Sequence, residues 1–196
     1  TAGDPVKGTK VASLTIKGAG AVDINSAALQ DLIATVDASA STGDVDVTTG
    51  NTAGNSADSA SSDLVDLTVK TGAGNDEVDV SLSDVADEVL VELGAGNDKL
   101  TLGDIVQATS STQVGDVFDG GDGTDTIVMG TALATDIDGS AGATKNIKNF
   151  ETVSITDSLA ADLTLSNIQA TGLTTLNLNH ASAAYTGART VTFNTG

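Results

Sequence analysis

The sequence carries two close copies of one strand–turn–strand pattern. Residues 67–80 read LTVKTGAGNDEVDV, and residues 89–102 read VLVELGAGNDKLTL. The pentapeptide Gly-Ala-Gly-Asn-Asp therefore returns after 22 residues, from position 72 to position 94. A third, related copy at 118–128 reads FDGGDGTDTIV and follows at an offset of 27, counted from Asp98 to Asp125. Because the same order of strand, glycine turn and strand recurs, the chain is expected to stack equivalent units.

Weaker copies flank these three. Residues 32–47, LIATVDASASTGDVDV, align without a gap to the segment that begins at Val65, but their turn lacks most glycines and the final Asp. SLTIKGAGAVDI at 13–24 has a shorter turn, whereas 151–165 and 173–193 keep two strands and lose the turn chemistry. The chain thus holds about seven units at irregular spacing.

A unit of two short strands cannot bury its apolar face alone, so it must stack on a neighbour. In 78–82, valine and leucine alternate with Asp and Ser, which places the apolar side chains on one face. We therefore predict an all-β fold, a right-handed parallel β-solenoid, with residues 1–196 as one elongated segment of a longer protein and 65–129 as its best-formed coils. An antiparallel β-sandwich would show the same alternation, but it would not repeat identical turns at each corner.

The segments between the units are variable in length. NSAALQDLIATV at 25–36 and SLSDVADEV at 81–89 could each hold a short helix, whereas the Ser- and Asn-rich residues 48–62 are typical of a surface loop.

The composition limits the classes of partner. The chain has 27 acidic and 8 basic residues, a net charge of −19, which disfavours nucleic acid and anionic membranes and favours cations. It has no cysteine, so disulfides do not hold the fold together. No apolar run is long enough to cross a membrane, so we expect no membrane insertion.

The third copy resembles a known calcium-binding motif. GGDGTDTIV at 120–128 satisfies the nonapeptide pattern G-G-x-G-x-D-x-U-x at every fixed position, and 71–79 and 93–101 depart from it only at the first glycine. These segments resemble the RTX (repeats-in-toxin) β-roll family. That resemblance implies Ca²⁺ between successive turns, held by aspartate side chains and by backbone carbonyls of the turns. The implied metal-site residues are Gly72, Gly74, Asp76, Gly94, Gly96, Asp98, Gly120, Gly121, Asp122, Gly123 and Asp125.

Charge and turn chemistry agree with this cofactor. Ca²⁺ takes six to eight oxygens and accepts backbone carbonyls, and glycine lets the chain curl so that carbonyls converge. Residues 71–125 hold 13 acids against the single base Lys99, whereas residues 139–196 hold three acids and three bases. Since the motif comes once per 22–27 residues, only one edge of the solenoid is expected to carry about two ions, with an additional ion at one end as an alternative. Asp44 and Asp46 are interpreted as solvated strand residues.

No residue pattern suggests catalysis. The sequence has one histidine, His180, which is most simply a surface or turn residue, and no G-x-S-x-G elbow accompanies it. The abundant acids come without an aromatic sugar platform, which disfavours a glycosidase. We therefore expect a protein that is not an enzyme.

The resemblance is nearest to RTX-type bacterial surface-layer (S-layer) proteins, because the motif is not in tandem and the strands are rich in Thr, Asn and Ala. It implies a secreted, cell-surface structural segment that self-assembles with Ca²⁺, with copies of itself and cell-surface polysaccharide as partners. The calcium-folded secretion module of a type I secreted enzyme and the stalk of an RTX adhesin are the alternatives.

Overall fold

A computed structural model describes residues 13–25, 33–49, 67–81, 89–103, 116–139, 147–157, 159, 162–165, 172–178 and 190–192. These ranges hold short strands and one helix, and every strand pair in them is parallel.

Two long sheets form the body of the fold. The first has six strands, in the spatial order β1 (Leu14–Gly18), β3 (Thr35–Ser41), β5 (Leu67–Lys70), β7 (Val89–Glu92), β10 (Val117–Asp119) and β13 (Ile147–Lys148). The second has seven strands, in the order β2 (Val22–Asn25), β4 (Val45–Thr48), β6 (Glu77–Asp79), β9 (Lys99–Thr101), β12 (Thr126–Met129), β14 (Thr152–Ile155) and β16 (Thr175–Leu178).

Two further sheets have two strands each. β8 (Ala95–Gly96) pairs with β11 (Asp122–Gly123), and β15 (Leu163–Thr164) pairs with β17 (Val191–Thr192).

The chain passes from the first sheet through a turn to the second sheet and then repeats this path. We call one such strand–turn–strand passage a coil. Each strand pairs with the equivalent strand of the next coil, as β5 pairs with β7 and β6 pairs with β9. The predicted all-β solenoid with parallel strands is therefore confirmed, and the antiparallel sandwich is excluded. The right-handed sense of the coil stays a prediction.

The core lies between the two long sheets. Strand alternation sends every second side chain inward, so equivalent residues of successive coils stack in rows. Each residue in the two central rows is at most 1 % exposed. One row contains Val36, Val69, Val91, Phe118 and Ile147, and the other contains Val47, Val78, Leu100, Ile127 and Val153.

The gapless alignment of residues 32–47 is wrong within the turn. Val36 pairs with Val69, an offset of 33, but Val47 pairs with Val78, an offset of 31. The turn of this coil is therefore two residues longer than the turn that contains Gly72. β3 is also longer than β5, with seven residues against four, and its pairing with β1 has a register shift between Thr15 and Lys17.

The units predicted after residue 150 do not follow the strand-to-sheet order of the earlier coils. Both β14 and β16 belong to the second sheet, whereas β15 and β17 pair with each other, so 151–165 and 173–193 do not repeat the earlier passage from the first sheet to the second. The order of strands in a sheet depends on which backbones are hydrogen-bonded to each other. The strand-like composition of these segments does not reveal that pairing.

A helix that the sequence analysis did not predict, α1 (Thr131–Gly139), follows β12 and buries Leu133 and Ala134 in the core. The Asp157 carboxylate accepts hydrogen bonds from the backbone N–H and the hydroxyl of Thr131, which satisfies the first turn of this helix from the next coil. The two segments predicted as helices lie largely outside the described residues. Within the described ranges, no helix has the length and apolar character to span a membrane.

We predict that Gly96→Ala destabilises the fold strongly, whereas Gly20→Ala is nearly neutral. Gly96 has φ 153°, and a Cβ there would overlap the carbonyl of Gly74 in the preceding coil. At Gly20 a Cβ would meet nothing within 4 Å. Strained backbone and overpacking together should lower the free energy of unfolding by about 3 kcal/mol or more. Urea unfolding measures both variants, and equal losses would contradict this packing of the turns.

Candidate metal site at the glycine turns

The glycine turns of three coils lie directly on one another. The N–H of Ala95 donates to the carbonyl of Gly72 at 2.8 Å, and the N–H of Asp122 donates to the carbonyl of Gly94 at 2.8 Å. A Cβ at Gly94 or Gly121 would overlap the carbonyl of the glycine in the preceding coil. The structure therefore brings the predicted turn residues together as two stacked rows of glycine. One row contains Gly72, Gly94 and Gly121, and the other contains Gly74, Gly96 and Gly123.

The first position of the motif tolerates side chains in two of the three turns. Thr71 and Leu93 stand there, both buried, and the Thr71 hydroxyl donates to the carbonyl of Leu93 at 2.5 Å. At the equivalent Gly120, a Cβ would overlap the carbonyl of Asn149 in the next coil. At this first motif position, glycine is therefore required only in the third turn, where the Asn149 carbonyl of the next coil leaves no room for a side chain.

The three motif aspartates form a stack that we call the carboxylate column, made of Asp76, Asp98 and Asp125. Each is at most 2 % exposed, and each Oδ1 accepts a backbone hydrogen bond from the preceding coil. The donors are the N–H of Val45 to Asp76, of Asp76 to Asp98 and of Asp98 to Asp125, each at 2.8 Å. The three aspartates therefore lie in consecutive layers, each hydrogen-bonded to the next.

The second oxygen of each carboxylate is unsatisfied. Oδ2 of Asp76, Asp98 and Asp125 is buried and has no hydrogen-bond partner among the atoms of the described structure. A buried carboxylate oxygen without a partner costs free energy, because it has lost water and gained nothing in return. Three such atoms in adjacent layers are three places where a cation would be stabilising.

Burial also disfavours the charged form of these side chains. It raises the pKa of Asp98 to about 7, with smaller contributions from the charges of Asp76, Asp125 and Asp44. Burial, followed by the charges of Glu151, Asp119 and Asp122, raises the pKa of Asp125 to about 6. Burial likewise raises the pKa of Asp76.

A second column runs beside the first, and we call it the amide column: Asp44, Asn75, Asn97 and Thr124. The Asp44 carboxylate accepts the N–H of Asn75 at 2.8 Å, the Asn75 amide oxygen accepts the N–H of Asn97 at 2.9 Å, and the Asn97 amide oxygen accepts the N–H of Thr124 at 3.0 Å. Its side chains point to the following coil, opposite to the carboxylate column. Asp44 thus has a specific backbone partner, beyond the solvated role predicted for it.

The remaining acids near the turns have other surroundings. Asp119 pairs with Lys148 at 2.8 Å and accepts from the Asn149 side chain at 2.7 Å. Asp122 is exposed on β11, so only its backbone belongs to the turn stack. Asp46 lies on an outward strand position, where burial and then Glu77 raise its pKa.

Sequence reasoning missed Glu151, whose Oε2 accepts the N–H of Asp125 at 2.8 Å. The available signal was the strand TVSI at 152–155, which pairs with TIVM at 126–129 and so places Glu151 level with Asp125. His180 lies outside the described residues.

Among the residues that the structure describes, no three His, Cys, Asp or Glu side chains converge as a metal site usually requires. The turns offer instead one buried, unpartnered carboxylate oxygen per layer. Oxygen is the ligand type that Ca²⁺ takes from both carboxylates and the main chain.

We expect the metal-free protein to lose stability as the pH rises from about 4 to about 7. The pKa of Asp98 is about 7 in the fold against an ordinary 3.8, so the native state binds more protons in this window than the unfolded state. The stabilising proton is fully present below about pH 4 and is lost through about pH 7. Thermal melts at several pH values test this.

Asp98→Asn should weaken that pH dependence, because Asn keeps the Oδ1 acceptor and cannot ionise, while the raised pKa of Asp125 preserves part of the slope. Asp23→Asn, which changes an exposed acid on β2, is the matched control and should keep the original slope. A metal-free protein whose melting temperature rises over this window would contradict the buried, unpaired carboxylates.

Comparisons with known proteins give no relative. No protein-family model, no curated protein and no solved structure matches this chain. The likeness to the RTX motif therefore rests on residues 71–79, 93–101 and 120–128 alone.

Proposed function

We propose that this chain is a calcium-binding structural segment of a secreted bacterial surface protein, of the S-layer kind, which folds and assembles with Ca²⁺. The observation that carries the proposal is the set of three buried Oδ2 atoms without partners, one each in Asp76, Asp98 and Asp125. They are stacked in adjacent layers beside turns built from glycine.

The donor chemistry favours Ca²⁺ over other metals. The three turns at 71–76, 93–98 and 120–125 contain no His or Cys, so their ligands are oxygens. Ca²⁺ accepts irregular sets of carboxylate and carbonyl oxygens, whereas Mg²⁺ demands near-ideal octahedral geometry and keeps its water. Asp76, Asp98 and Asp125 would hold the ion through Oδ2, with carbonyls of the glycine rows as further ligands.

A bound divalent cation would neutralise the negative charges of the carboxylate column. The chain's own residues do the rest: backbone donors hold each Oδ1, glycines allow the close approach of the turns, and the apolar rows keep the layers in register. Without the ion, the carboxylate column holds like charges in a buried stack, which opposes folding.

A structural role fits the architecture. Extended stacks of parallel coils offer long faces for lateral contacts. The acidic segment 71–125 would need calcium before another acidic surface could approach it. The calcium-folded secretion module of a type I secreted enzyme and the stalk of an RTX adhesin share the same turn chemistry and are distinguished by assembly.

We expect Ca²⁺ to raise the melting temperature of the metal-free protein at pH 7.5. A ligand that binds only the native state stabilises it by roughly 2.7 kcal/mol at a hundredfold excess over Kd. Calorimetry with EDTA and with millimolar CaCl₂ measures the difference. Asp98→Asn should reduce this rise, and the exposed control Asp23→Asn should retain it. An unchanged melting temperature after complete metal removal would refute the calcium proposal.

We also expect calcium to drive self-association. Extracellular calcium modules have Kd values of about 10⁻⁴–10⁻³ M, so millimolar Ca²⁺ should switch the chain from monomer to larger species. Light scattering during a calcium titration checks this, with Mg²⁺ at equal ionic strength as the control. A chain that gains stability with Ca²⁺ but stays monomeric would support the secretion module instead.

A further inference from the structure

The carboxylate column continues for one layer beyond the glycine turns. Glu151 Oε2 accepts the N–H of Asp125 at 2.8 Å, as Asp125 Oδ1 accepts the N–H of Asp98. The carbonyl of Asp125 also accepts the N–H groups of Glu151 and Thr152, at 3.1 and 3.0 Å. Both backbone groups of Asp125 are therefore held by the coil that contains Glu151.

That coil turns its corner differently. Strand pairing places Lys148 beside Asp119 and Glu151 beside Asp125. Only two residues lie between Lys148 and Glu151, whereas five residues form the glycine turn between Asp119 and Asp125. Asn149, with φ 58°, makes the tight bend. No glycine row continues here, and the stack of turns ends at this corner.

The side chain of Glu151 also differs from those of the three aspartates. Glu151 is half-buried, and neither of its oxygens is among the buried, unpartnered atoms of the described structure, whereas each aspartate has such an oxygen. Each aspartate carboxylate reaches back one coil, so the unpartnered oxygens occupy three layers, bounded by Val45 at one end and by Asp125 at the other.

From this geometry we propose that Glu151 is a positioning residue that ends the cation row: it fixes the backbone of Asp125, so that the Oδ2 of Asp125 faces the layer shared with Asp98. The cation row then spans three layers, one of them between Asp76 and the coil that contains Val45. This inference rests on the proposed function only for the ion; the positioning of Asp125 is independent of it.

Because of the direction of these hydrogen bonds, the position of each aspartate depends on the coil that follows it. The N–H of Asp98 is held by Asp125, and the N–H of Asp125 is held by Glu151. Loss of the Glu151 acceptor should therefore loosen Asp125 first and leave Asp76, two layers away, nearly unchanged.

Amide hydrogen exchange followed by NMR on the full metal-free chain tests the positioning. Glu151→Ala should speed exchange at the Asp125 amide roughly tenfold or more, since a hydrogen bond to a charged acceptor is lost, with little change at Asp76. Glu151→Gln keeps an acceptor oxygen but loses the charge, so it should speed exchange only a few-fold. Glu92→Ala, which removes a surface acid paired with Lys70, should leave the Asp125 amide unchanged.

A calcium titration of the same variants distinguishes a local effect on one ion site from a general loss of stability. Glu151→Ala should weaken one binding event and spare the others, whereas Glu151→Gln should restore it in part. Wild type that binds no calcium would remove the proposed function but not the exchange result, so the two failures are separable.

Two results would overturn the role of Glu151. One is an Asp125 amide as protected in Glu151→Ala as in wild type, and the other is an equal loss of protection at Asp76, Asp98 and Asp125. If Glu151→Ala does not fold, Glu151→Gln decides: faster exchange confined to Asp125 supports positioning, and no change or a uniform change refutes it.

Discussion

Successive coils of a parallel solenoid lie only about 4.8 Å apart, so each side chain faces its equivalent in the next coil. Identical apolar residues gain from this spacing, and the stacked valines and leucines make a continuous core. Identical acids suffer from it, because like charges meet at short range. The close contacts of the glycine turns, the ion pairs on the outer faces and the candidate ion row all follow from this spacing.

The outer faces and the turn edge meet the constraint in different ways. On the outer faces, lysines alternate with acids across the sheets: Lys70 pairs with Glu92, Lys99 with Glu77 and Lys148 with Asp119. These pairs are partly exposed to solvent, so each adds little to stability. In the buried carboxylate column, the three Oδ2 atoms have no hydrogen-bond partner among the described residues, so a proton or an external cation would be needed to compensate the charge.

The fold was predictable because its determinants are local and repeated. Alternation of apolar residues and the recurring GAGND pentapeptide are visible in one dimension, and stacking follows from them. The longer turn before Val45 was not visible, because two extra residues leave the strand pattern intact and only pairing reveals the offset. Glu151 was missed for a related reason: it acts from a coil without the glycine motif, through one hydrogen bond whose partner is 26 residues away.

The two columns at the turns run in opposite directions, one offering acceptors to the coil before and one to the coil after. An interior layer that carries both Asn and Asp therefore presents the same donors and acceptors above and below. Duplicating or deleting such a layer as a whole would leave an equivalent partner for each hydrogen bond of the two columns. The end layers, with Val45 on one side and Glu151 on the other, are not interchangeable in this way. The number of interior layers could thus change without interrupting either column, whereas a change at either end would remove a donor or an acceptor that the column uses.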